Sequence, residues 1–412
     1  MPGFATPLSG LNAASTALST IANNLANLNT VAYKDMRPLF QDLFYQQMGS
    51  TGAGDPIQLG VGAAVDTIDS VFTRGNIEPT GVPTDVAIMG DGFFVTSQDG
   101  VQSFTRAGNF SVSDTGTLVT TDGQQVLGYA AVNGVIDTGQ SLTAISVGRN
   151  QVSPPNATKN MKLSVNLDAT AADGTTFSSQ VPVYDSLGAT HVLNVKFTKT
   201  DQNKWGYDIS IPAAEVGTTG DPVSVKTGTL TFDNTGMLTD PNADVSPVTV
   251  SGLADGAADL SLTWNLYDQG SGVVTQLAGP SSTSTTYQDG FGTGTLESFQ
   301  ILGDGTVQGT FTNGQTMAIA QLALATFANQ QGLLREGGNA FAPTLASGPP
   351  NLGTPNSGGR GSIAGSSLEL SNVDMSKEFA DLIVAQRGFQ ANARAITTFD
   401  EVMQETINLI RQ

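Results

Sequence analysis

The side chains able to do chemistry are few. His191 is the single imidazole in 412 residues, and cysteine is absent. Without cysteine there is no disulfide, thiolate zinc site, iron–sulfur cluster or thiol nucleophile. Histidine-dependent zinc sites are expected to need two or three histidines, so those are excluded as well. His191 sits in ATHVLNVKF, at the start of an alternating stretch. A Ser–His–Asp constellation would want a G-x-S-x-G elbow for its nucleophile, and none occurs. His191 therefore reads as a structural strand residue. No lysine follows a glycine, so there is no phosphate-binding loop, and Gly359, Gly361 and Gly365 follow no strand pattern that would make a dinucleotide fingerprint. The carboxylates fall mostly in D-G, D-N-T-G and S-D-T-G settings, where Asp caps turns. No D-x-[DN]-x-[DN]-G calcium loop is present. No catalytic, cofactor-binding or metal residue is predicted, and an enzyme is not expected.

Charge narrows the partners. Asp and Glu number 36 against 17 Lys and Arg, a net charge of −19. Residues 150–284 carry 13 Asp/Glu against 6 Lys and no Arg. Such a chain repels phosphate backbones, and its aromatics are not interleaved with Lys or Arg, so nucleic acid is not expected. No run of 18 apolar residues occurs, so membrane insertion is not expected either. No charged side chain precedes Lys34, and Ser, Thr and Asn interrupt each early apolar run, unlike a cleaved secretory signal. The expectation is a cytoplasmic protein or one carried by another export machine.

The elements follow from periodicity. From Thr6 to about Asn29 the pattern is helical, with Thr6 placed to cap and Pro7 at the first helical position. Phe4, Leu11, Leu18 and Leu25 recur every seven residues, and Ala14, Ile21 and Leu28 form the second column of an a/d seam. At the other end Met375, Leu382, Phe389, Ile396, Met403 and Ile410 form a column at the same spacing. Phe379, Ala393 and Ile407 follow column members by four residues, and Ala385 and Phe399 by three. Ser371 with Asp374 resembles a capping box, and a helix over 372–410 would run about 57 Å. Two short-of-partner seams at opposite ends predict packing against each other and against further copies of the chain.

Between the ends the period is two. Leu193, Val195 and Phe197 alternate with polar residues, as do Val223, Val225, Leu230 and Phe232 across Thr227-Gly228. Turn pairs recur at Asp91-Gly92, Asp99-Gly100, Asp122-Gly123, Asn133-Gly134, Asp304-Gly305 and Asn313-Gly314. Glycine is 48 of 412 residues, consistent with many short strands and turns. Residues 31–70 show no clean period and are expected to be an extended linker. Residues 347–367, glycine- and proline-rich, read as a flexible or extended link into the last helix.

Several stretches resemble the bacterial flagellar rod, hook and hook-associated axial proteins. NNLANLNTVAYK at 23–34 carries the signature, through Asn23, Asn24, Leu25, Ala26, Asn27, Thr30, Tyr33 and Lys34; the family usually has glycine where this chain has Ala32. Residues 368–411 are similar to the partner helix. GDGFFV at 90–95, 104–129 and FANQQGLLREGGNAF at 327–341 match further. VPVYDSLGATHVLNVKFTKT at 181–200 and LTFDNTGML at 230–238 resemble the insert that hook members carry and shorter rod members lack.

The resemblance implies a mostly β multidomain chain with paired N- and C-terminal α-helices in a coiled-coil inner core and an inserted outer β domain. The expected division is 1–30 and 372–412 for the helices, 31–70 and 359–371 for linkers, 71–147 plus 285–358 for the inner β domain, and 148–284 for the insert. It implies a homopolymeric curved tube, a universal joint passing torque from rod to filament, with no cofactor. Implied partners are other copies, a distal rod protein, a hook–filament junction protein, a hook cap, a hook-length control protein and the flagellar type III export apparatus. Implied placement is extracellular, in the flagellum, after export without a cleaved signal. A distal rod subunit and a secreted β-rich adhesin are the alternative readings.

Overall fold

The computed structural model describes residues 2–50 and 56–410. The chain forms two compact units. One comprises residues 1–148, 299–309 and 318–412; the other comprises 149–298 and 310–317.

The first unit holds both helices. Helix α1 spans Pro2–Ala26 and helix α2 spans Met375–Ile410. At 1.5 Å per residue they are about 38 and 54 Å long. Helix α1 does not begin at a Thr6 cap: it starts at Pro2, and Pro7 lies inside it. The missing Pro7 N–H forfeits one backbone bond in the second turn, a local cost that does not end the helix. It stops at Ala26, so Leu28 falls in the turn beyond, where Thr30 N–H donates to the Asn27 carbonyl at 3.1 Å. The cap of α2 is Asp374 rather than Ser371. Its Oδ1 accepts from the backbone N–H of Ser376 at 2.9 Å and of Lys377 at 3.2 Å.

Residues 31–70 are not an extended linker. Strand Met36–Asp42 pairs antiparallel with Ala63–Ser70, and Tyr45–Ser50 with Pro56–Gly60, making a two-stranded ribbon whose tip lies outside the described residues. Gly62 lets the ribbon approach α1: a Cβ there would fall 1.9 Å from Ser9 Oγ, and φ is +119°. The link at 359–371 is likewise paired. Ser362–Gly365 joins Val86–Met89, and Ser367–Glu369 joins Ile77–Pro79, both antiparallel. The β core of this unit is aromatic. Phe93, Phe104, Phe327 and Phe341 are buried, with ring centroids 4.9–5.8 Å apart and mostly edge-to-face.

The second unit is a sandwich. One sheet is the antiparallel run Thr176–Tyr184, Thr190–Asp201, Lys204–Ile211, Val223–Phe232 and Leu238–Asp240. The other centres on Asn160–Asp168, which pairs in parallel with Leu260–Asn265 and Val274–Leu277 and antiparallel with Ser282–Gln288. Alternate residues point inward, so Met161, Leu163, Val165 and Leu167 meet Leu193, Val195, Phe197, Trp205 and Trp264 in one core. An insert ending at 284 would cut strand Ser282–Gln288, which belongs wholly to this unit. Val223–Phe232 is one uninterrupted strand, with Gly228 accommodating the Tyr207 ring.

Candidate functional site

Helices α1 and α2 lie antiparallel. Asn24 reaches Glu378, Gly10 faces the side chain of Asn392, and the rings of Phe4 and Phe399 are 5.9 Å apart. On α1, Ile21 is buried, while Leu11, Ala14, Leu18 and Leu25 are half-buried. On α2, Leu382, Phe389, Ile396 and Met403 are half-buried, but Met375, Phe379, Phe399 and Ile407 are exposed; the Ile410 side chain lies outside the described residues. A second apolar stripe that heptad spacing did not single out, Ile383, Val384, Val402 and Leu409, is 52–74% exposed. Phe399 stands opposite Phe4, near the start of α1, so the turns of α2 after it run past the described end of α1. One helix covers only part of the other's apolar surface.

The signature residues gather at the other end of the pair, where the chain leaves α1. Tyr33 OH donates to Asn23 Oδ1 at 2.8 Å, and Asn27 Nδ2 donates to the Asn23 carbonyl at 2.9 Å. Thr30 Oγ1 donates to Asn27 Oδ1 at 3.1 Å. Asn24 is 1% exposed. Its Nδ2 faces Asp35 Oδ1 at 2.6 Å, the Met36 carbonyl at 2.9 Å and Glu378 Oε2 at 3.2 Å, and its Oδ1 accepts from Met36 N–H. Leu25 and Ala26 make the last turn of the helix. Ala32, where the family usually has glycine, adopts φ +54° and donates its N–H to the Glu369 carbonyl at 2.8 Å.

Lys34 ends the motif in full burial. Its Nζ donates to Glu369 Oε1 at 2.7 Å and to the Thr73 carbonyl at 3.0 Å. Glu369 Oε1 also accepts from Gly75 N–H at 2.8 Å. Arg106, 2% exposed, lies 3.8 Å from Glu369 Oε2, donates to the Gly90 carbonyl and stacks over Phe93. Burial pulls Lys34 and Arg106 below their ordinary values, with Glu369 opposing the shift in both. Arg335 clamps the outside: it donates to the Lys34 carbonyl at 2.7 Å and lies over the rings of Tyr33 and Phe341. Burial raises Asp35 and Glu378; the like charge of Asp381 adds to the rise in both, and that of Asp35 to the rise in Glu378.

Sequence reading missed Glu369, Arg106, Arg335, Asp35, Glu378 and Asn372. Asn372 accepts from Asp35 N–H at 2.7 Å and donates to the Val71 carbonyl, bracing the ribbon against the entry to α2. The usable signal was Lys34 itself, since a lysine ending a charge-free stretch that must pack inside needs a carboxylate partner. Together these groups form a rigid joint between α1, the ribbon, the β core and α2.

Four family models match the chain: the flagella basal body rod protein over residues 4–34, the flagellar hook protein FlgE/F/G D1 domain over 87–166, the flagellar basal body protein FlaE D2 domain over 150–291, and the flagellar basal body rod FlgEFG protein C-terminal region over 364–409. The flagellar hook protein FlgE of Salmonella typhimurium is 36% identical, across 98% of this chain and 99% of its own. That of Escherichia coli is 35% identical over the same shares, and that of Treponema pallidum 34% over 98% of each. A likeness that runs almost end to end in both chains, insert included, makes this chain a member of the bacterial flagellar hook protein family.

Proposed function

We propose that the chain is the structural subunit of a flagellar hook, polymerising through its terminal helices into a curved tube that carries torque while it bends. The observation that carries this is the apolar surface α1 leaves open on α2: Phe379, Ile383, Val384, Val402, Ile407 and Leu409, each 49–74% exposed. Burying the open half of such a side chain gains about 1 kcal/mol, so six of them supply about 6 kcal/mol. Association costs about 4–15 kcal/mol. A single contact of this kind is marginal, and a subunit held by several neighbours is not, which suits a cooperative tube.

On the same reading the tube's ends meet different proteins: a distal rod protein at one, and a cap and then a hook–filament junction protein at the other. A length-control protein and the type III export apparatus act before and during assembly, and the product stands outside the cell. These partners rest on family membership. The test of the central reading is a charge placed on the open face. Val384→Lys and Leu409→Lys chains should stay folded and monomeric under conditions where the unaltered chain sediments as polymer. Normal polymer from both variants would overturn the reading.

A further inference from the structure

We propose that Asp185, His191 and Asp255 form a site for one divalent first-row metal ion, with Glu215 as the positioning residue. The three ligand residues lie in the second unit, far in sequence from the helical joint, and the inference does not depend on the assembly reading. His191 is 4% exposed at the start of strand Thr190–Asp201. Its two ring nitrogens both face carboxylates: Nδ1 is 2.5 Å from Glu215 Oε2, while Nε2 is 3.0 Å from Asp185 Oδ2 and 3.6 Å from Asp255 Oδ2.

Carboxylates only accept, and a neutral imidazole offers one N–H. With that proton on Nδ1 toward Glu215, the Nε2 lone pair and two carboxylate oxygens converge on one point. Positive charge must sit there. A second ring proton serves Asp185 but leaves Asp255 Oδ2 beside another carboxylate, three carboxylates then facing one cation. A divalent ion serves all three donors. The three ligand atoms lie within 4.8 Å of one another. Metal–ligand bonds of about 2.0–2.2 Å place neighbouring ligands roughly 3.0–3.6 Å apart, matching the two Nε2 distances. Asp185 keeps Oδ2 for this role because its Oδ1 accepts from the N–H groups of Leu187 and Ala189 at 2.8 and 2.9 Å. The Glu215 contact is the carboxylate–histidine–metal relay that fixes a ligating ring. Asp255 and Glu215 side chains are each 31% exposed, leaving water access to complete the shell. One nitrogen and two carboxylate oxygens suit zinc and its neighbours. Counting histidines alone excluded zinc from the sequence; one histidine with two aspartates is enough.

The test uses the full chain without a polyhistidine tag, freed of metal by chelator and titrated with zinc chloride. One zinc per chain should bind, and His191→Gln and Asp255→Asn should lose it. Glu215→Gln should bind about 10–100-fold more weakly. Asp255 is partly exposed, so its variant keeps the fold even if that of His191 does not. Because the chain has a single imidazole, zinc should move one Nε2 nitrogen resonance while Nδ1 stays protonated. Zinc uptake equal in the unaltered chain and Asp255→Asn, no uptake at all, or uptake that leaves the His191 resonances in place would each overturn the proposal.

Discussion

A lysine buried against a glutamate is worth little beyond what its removal exposes. The Lys34–Glu369 pair is wholly buried, with Arg106 nearby. Replacing Lys34 by Met leaves Glu369 charged in the interior and should cost about 3 kcal/mol, and Glu369→Gln should cost a similar amount. The double variant should lose less than the sum, by about 1–3 kcal/mol in denaturant unfolding, because Lys34 and Glu369 are then both gone, while the loss of the Arg106 partner is common to Glu369→Gln and the double variant. A double variant that loses the full sum of the two single costs would show that the pair is not coupled. Ala32 holds a left-handed conformation that glycine adopts freely. Ala32→Gly should therefore stabilise the chain by about 1 kcal/mol, read as a higher unfolding midpoint.

The acid pair beside Asn24 sets a pH dependence. Asp35 and Glu378 are both held above their unfolded values, so their contribution favours the fold at low pH and is lost as pH rises through the raised values. The joint should be tighter in mild acid than at neutrality. Glu378→Gln keeps an acceptor for Asn24 without the charge, so it should raise the neutral melting temperature and flatten the pH profile. A steeper profile in that variant would contradict the assignment. At this scale the motif residues were legible from sequence, but their partners were not. Glu369 is one of 36 acidic residues, and only the pairing of Ser367–Glu369 with Ile77–Pro79 carries it to Lys34.

Among the elements, legibility followed burial on one face. Strand Thr190–Asp201 alternates through most of its length, and the seams of both helices repeat every seven residues. The ribbon at 36–70 has no such signal, because the described residues of Met36–Asp42 are mostly exposed on both sides. A strand with no buried face has no period to read. The short strands at 351–369 hold three or four residues each, too few to show one. The helix ends shifted for local reasons, and the Asp374 cap is testable. Asp374→Ala removes the acceptor for two N–H groups and should cost about 1 kcal/mol, fraying the first turn of α2 in hydrogen exchange while leaving its middle protected. Unchanged exchange at Ser376 and Lys377 would place the cap elsewhere.

At the scale of the whole molecule, the chain joins well-packed β units to a helix pair that is only partly covered. A protein ending its folding with α2 in this state leaves a large apolar surface facing water, and such surfaces mark interfaces. The family to which the chain belongs makes copies of itself the occupants. The direct measurement is a helical reconstruction of the assembled polymer, with accessible area computed for Ile383, Val384, Val402 and Leu409. The account predicts that neighbouring copies' helices bury these four side chains. Finding them still open to solvent, with the polymer held together by β units alone, would contradict it.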